Sequence, residues 1–129
     1  MDTFEILSQL CSAAGVSGAE GSAAEAAAKL LEEYGEVTLD NALGSVICKV
    51  GSWEDGKPVM LLDAHIDEIG MIVTYITEDG FLKISGCGGL DTRLLLAQQV
   101  TVYGKEKLTG VVTSTPPHLE KDSFDAPDL

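Results

Sequence analysis

The stretch Pro58-Val59-Met60-Leu61-Leu62-Asp63-Ala64-His65-Ile66-Asp67-Glu68-Ile69-Gly70 decides how this sequence reads. Its first seven residues form a short apolar run, which predicts a strand buried on both faces. A histidine and two acids follow directly. In open α/β sheets, ligand and catalytic groups gather at the carboxyl ends of strands. His65, leaving such a strand, is placed to offer a ring nitrogen to a metal ion. Asp67 shares its face if the extended geometry continues. A carboxylate there can accept the second ring N–H, which fixes the tautomer and raises ligand basicity. Glu68 falls on the opposite face, so adjacency does not make Asp67 and Glu68 a catalytic pair. The spacing alone leaves two readings open. One is a metal ligand with its orienting acid. The other is a strand-end histidine bonded to a nearby aspartate that stabilises a loop.

Upstream, the pattern is helical and then alternating. Phe4, Leu7, Leu10, Cys11 and Ala14 repeat at helical spacing, with Asp2 and Glu5 set like a capping box. Ser17 and Glu20 repeat that spacing before an alanine-rich helix over 23–34, which Gly35 ends. Small alanine faces allow close packing against a sheet. Residues 36–50 then read as a hairpin around Asp40–Gly44. Helices, hairpin and buried strand together predict the start of a layered α/β domain.

Downstream, residues 70–114 read as all-β, as in a small barrel. Met71–Ile76 and Phe81–Ser85 flank Glu78-Asp79-Gly80, and Gln99–Tyr103 and Leu108–Ser114 flank Gly104–Lys107. Gly86, Gly88 and Gly89 predict a bend that breaks regular structure. The resulting division is 1–69 for the α/β part, 70–119 for the β part and 120–129 for an acidic tail. Neither of the first two parts looks complete.

Composition excludes several function classes. The 129 residues hold 8 Lys+Arg against 21 Asp+Glu, a formal charge of −13. Such a charge opposes nucleic-acid backbones and anionic lipid surfaces. A hydrophobic share of 45% describes a chain that can build a core. No run of about 18 apolar residues predicts a transmembrane helix, and the acidic N-terminus does not read as a signal peptide. Cys11, Cys48 and Cys87 are odd in number and widely spaced, which predicts reduced thiols, mostly buried, in a cytoplasmic protein.

Several blocks taken as a set resemble the M42 metallo-aminopeptidases, the glutamyl and deblocking aminopeptidase group, some of which carry an endoglucanase label. They are Gly15–Glu20, Ala64–Val73, Glu78–Leu82, Gly88–Arg93 with Leu94–Val100, and Gly110–Leu119. The resemblance implies an α/β metallopeptidase catalytic domain followed by part of an inserted all-β, barrel-like or PDZ-like domain. It implies two divalent metal ions, zinc or cobalt, which activate a water that hydrolyses N-terminal residues from short peptides. His65 matches the first metal ligand, and Asp67 matches the catalytic-site acid that orients it. It implies a homo-oligomer, often a dodecameric shell. The family's other ligands lie downstream of the matched motifs, so the expectation is an N-terminal portion that is inactive alone. Leu43-Gly44 stands where the family commonly has Gly-Asn, a position without a ligand role.

Other residues carry weaker expectations. His118 falls in a proline-rich loop, and Asp122, Asp125 and Asp128 read as solvated charges. Cys87 reads as a small residue in a tight bend, Gly86–Gly89 lacks the rest of a phosphate loop, and Arg93 reads as a partner for Asp91 or for another subunit. Two rival functions remain: a non-catalytic interaction module using the unfinished β part, and, last, glycoside hydrolysis.

Overall fold

The structure is a computed structural model that describes residues 2–40 and 42–114. His118 and the acidic tail, with Asp122, Asp125 and Asp128, lie outside the described residues. The chain divides into two compact units, Met1–Ile69 and Gly70–Leu129.

The first unit holds helices α1 (Thr3–Ser12) and α2 (Gly21–Leu31), then strands β1 (Glu36–Leu39) and β2 (Val46–Lys49). The α1 start follows from local chemistry. The Asp2 carboxylate accepts from the Glu5 N–H at 2.8 Å, and the Glu5 side chain accepts from the Asp2 N–H at 3.2 Å. Two otherwise orphaned helix-start donors are thereby satisfied. The second expected capping box does not form. Glu20 caps α2 without a side-chain bond and instead accepts from the Gly18 N–H, while Ser17 is drawn to a distant partner described below. Helix α2 ends at Leu31 rather than Tyr34, with turns leading to Gly35.

The core of this unit is the small face of α2. Ala23, Ala24 and Ala28 are its buried residues, and α2 packs on α1 and on the antiparallel β1–β2 hairpin. Alanines bring the helix axis close to its neighbours, as their spacing predicts. Gly35 serves the same approach. A Cβ at Gly35 would sit 2.1 Å from the Lys49 carbonyl oxygen, so only a residue without one fits where the chain passes under β2.

The apolar run Pro58–Ala64 departs from expectation. It forms no strand and has no ladder partner among the described residues. Met60, Leu61 and Leu62 are 84%, 85% and 86% exposed. Apolar patterning reports that a segment suits a sheet interior. It cannot supply the neighbouring strands that make one. The thiols also differ from expectation: Cys11 is exposed and Cys48 and Cys87 are half-buried, all three free.

The described residues of the second unit form two antiparallel hairpins, β3 (Gly70–Ile76) with β4 (Leu82–Cys87) and β5 (Gln99–Tyr103) with β6 (Lys107–Val111). Each forms its own two-stranded sheet, and no ladder closes them into a barrel among the described residues. Gly80, at φ 86°, makes the first turn. The expected break at Gly86 is absent: β4 runs through it to Cys87, paired with Gly70, and the chain bends at Gly88 with φ 82°. A 3-10 turn, Thr92–Leu94, interrupts the all-β reading. Asp91 starts it by accepting the Arg93 N–H at 3.1 Å.

Candidate functional site

The site is built where two loops of the first unit meet. Gly15 and Val16 run beside Glu68, with an isolated parallel bridge between Val16 and Glu68. Glu68 N–H donates to the Gly15 carbonyl at 2.8 Å, and Gly15 N–H donates to Glu68 Oε1 at 3.0 Å. Gly15 is buried against α2, where an added Cβ would lie 2.8 Å from the Ala23 Cβ and 3.5 Å from the Ile66 carbonyl oxygen. These contacts hold the residues around His65 although no sheet does.

Three residues before Glu68, the His65 ring Nδ1 lies 3.0 Å from Asp67 Oδ1. An ionised carboxylate only accepts, so Nδ1 carries the proton and the neutral ring keeps its lone pair on Nε2. The His65 side chain is 86% exposed. The other Asp67 oxygen, Oδ2, accepts from Ser17 Oγ at 2.5 Å. The hydrogen bond from Ser17, and next that with His65, hold the Asp67 carboxyl below its ordinary pKa. Glu68 turns its carboxylate to Gly15, away from this pair. Asp67 and Glu68 therefore serve different partners.

These residues fit one part of a metal site. His65 offers an exposed ring nitrogen backed by a carboxylate, the usual outer arrangement of a ligating histidine. A catalytic zinc takes about three protein ligands. Among the described residues, no three His, Cys, Asp or Glu side chains come together to hold an ion. One ligand fits, and a whole two-metal site does not.

Sequence reasoning placed His65 beside Asp67 and missed Ser17, whose spacing to Glu20 pointed to a helix cap. No local signal joins Ser17 to an aspartate 50 residues away. Arg93 pairs with Asp91 at 2.7 and 2.9 Å, and no chemistry attaches to it. Leu43 is 83% exposed, and its side chain carries no ligand atom.

The loop pair and the helix–hairpin layer behind it define an α/β unit that presents a single histidine backed by a carboxylate. The sequence model of the M42 glutamyl aminopeptidase family matches residues 44–128, and the chain belongs to that family. It is 29% identical over 127 residues to the lysyl aminopeptidase of Pyrococcus furiosus, covering 97% of this chain and 36% of that one. The crystal structure of a TET aminopeptidase from a marine sediment archaeon of the Thaumarchaeota is 32% identical. It matches with a TM-score of 0.81 over 97% of this chain and 36% of that one. The TET1 peptidase of Pyrococcus horikoshii is 33% identical at a TM-score of 0.77, over 97% and 37% of the two chains. That peptidase can assemble into a tetrahedron or a large octahedral shell. The chain thus spans about a third of the length of its relatives, 32% of one and 36% of another.

Proposed function

We propose that this chain supplies the N-terminal part of a metal-dependent aminopeptidase. His65 acts as one metal ligand, and Asp67 is the carboxylate that positions it. The observation that carries this reading is the His65–Asp67 contact at 3.0 Å, in a chain that belongs to a peptidase family. When bound, two divalent ions, zinc or cobalt, would supply an activated water and a polarised carbonyl. Asp67 accepts a hydrogen bond from Nδ1–H, which leaves Nε2 free to ligate. The Gly15–Glu68 bonds fix the backbone on which both residues stand.

The same reading extends to the whole protein. Short peptides are its substrates, and it works as a homo-oligomer in the cytoplasm. The formal charge of −13 disfavours nucleic acid and anionic lipid as partners. No helix among the described residues is long and apolar enough to cross a membrane. Residues 1–69 begin the catalytic domain, 70–119 belong to an inserted barrel-like or PDZ-like domain, and 120–129 follow as an acidic tail. The exposed run Pro58–Ala64 becomes a sheet strand when the rest of a catalytic domain surrounds it. The peptidase names of the relatives favour this reading over an interaction module or a glycoside hydrolase.

Two measurements test it. Zn²⁺ added to the chain should shift the His65 Nε2 resonance, and His65→Ala should abolish that binding. The purified 129-residue chain, given aminoacyl-p-nitroanilides with Co²⁺ or Zn²⁺, should show no substantial hydrolysis. Turnover by this chain alone would mean that it holds a full ligand set, contrary to the reading.

A further inference from the structure

We infer that Ser17 is a positioning residue for His65, acting through Asp67: its hydroxyl fixes the carboxylate so that Oδ1 faces the ring Nδ1. The assignment rests on the reading of His65 as a metal ligand, because only then does the ring's orientation and tautomer matter for function.

The geometry separates this role from a purely structural one. The loops carrying Ser17 and Asp67 are already joined twice, by Glu68 N–H to the Gly15 carbonyl at 2.8 Å and by Gly15 N–H to Glu68 Oε1 at 3.0 Å. The hydroxyl bond is not needed to bring these backbones together. What it adds is control of one torsion. A carboxylate held at one oxygen can rotate about its Cβ–Cγ bond. Asp67 is held at both, by Ser17 Oγ on Oδ2 at 2.5 Å and by the His65 ring on Oδ1 at 3.0 Å. Bonds to an ionised acceptor are roughly twice as strong as neutral ones, so the hydroxyl is an effective clamp even at an exposed position. Of the two ring nitrogens, it is Nδ1 that meets the clamped carboxylate and donates to it. The carboxylate therefore selects the tautomer whose Nε2 lone pair is open toward solvent, the atom a metal ion would take.

The test is the tautomer of His65, read from ring nitrogen chemical shifts in the full 129-residue chain at a pH where the ring is neutral. In the parent, Nδ1 should give the protonated-type signal and Nε2 the unprotonated-type signal. Ser17→Ala should abolish that dominance, with the two signals moving toward each other. Ser17→Thr keeps a hydroxyl on an exposed position and should retain the parent pattern. Unchanged amide signals for Gly15 and Glu68 in S17A would show that the loop brace persists while the tautomer shifts.

A parent pattern in S17A would overturn the assignment, as would S17T behaving like S17A. A Zn²⁺ titration separates the two levels of the argument. No shift at His65 Nε2 in the parent even at Zn²⁺ concentrations that saturate free imidazole, with the S17A effect intact, would sink the metal reading and leave the coupling of Ser17 to the His65 ring standing.

Discussion

Replacing Gly15 by alanine tests the brace beneath the site. The added Cβ would meet the Ala23 Cβ at 2.8 Å, about 1 Å inside the ~3.5–4.0 Å optimum for carbon pairs. Ala23 is 3% exposed in the first turn of α2, and its methyl has no torsion by which to swing aside. The loop carrying Gly15 must move instead, stretching the 2.8 and 3.0 Å bonds to Glu68. Overpacking of this kind costs about 1–3 kcal/mol. Gly15 is not in the left-handed region, so alanine recovers about 0.4–1 kcal/mol by restricting the unfolded chain. The net loss should be about 0.5–2 kcal/mol, read as a lower urea midpoint at unchanged slope. Ala23→Gly removes the clashing methyl. Alone it should cost about 1 kcal/mol in helix propensity, but combined with Gly15→Ala it should recover most of the clash. The double-mutant cycle should give a coupling of about 1 kcal/mol, well above the ~0.3–0.5 kcal/mol scatter of independent sites. A cycle that closes within that scatter, or a Gly15→Ala variant as stable as the parent, would refute the packing argument.

Other perturbations have equally definite outcomes. Gly35→Ala places a Cβ 2.1 Å from the Lys49 carbonyl oxygen; backbone must yield there, so the loss of stability in urea melts should exceed that of Gly15→Ala. Ala97 holds φ at 63°, a left-handed cost of about 1–2 kcal/mol only partly offset by glycine's freer unfolded chain, so Ala97→Gly should raise the melting temperature. Arg93 holds the Asp91 carboxyl below its ordinary value, chiefly through its side-chain hydrogen bonds. The stabilising contribution of that lowered pKa is present above the unfolded value and is lost as pH falls through the folded one. Arg93→Ala should move the Asp91 carbonyl-carbon titration up toward its ordinary range; an unmoved titration would deny the pairing.

What was legible in the sequence is what neighbours along the chain settle between themselves. Asp2 and Glu5 cap α1 because both partners lie within one turn. The β1–β2, β3–β4 and β5–β6 hairpins form about where alternation meets turn residues. His65 and Asp67 meet because extended backbone puts every second residue on one side. The misreadings have the opposite cause. Ser17-x-x-Glu20 has the spacing of a capping box, yet a carboxylate 50 residues away takes the hydroxyl. Gly86 suggests a break, yet pairing with Met71 keeps the strand running.

The sequence by itself determined the α1 start, the hairpin turns, the buried alanine face and the histidine with its near carboxylate, since each rests on interactions within a few residues. The tertiary structure alone decided that Gly15 and Glu68 brace the site and that Ser17 completes the hydrogen-bond chain to His65. It also left Pro58–Ala64 exposed despite an apolar pattern suited to a sheet interior. The physical reason is that hydrogen-bond partners and sheet neighbours distant along the chain are found only when folding closes the loops between them. A residue's type and its local spacing state what it can bond, and the fold states with whom.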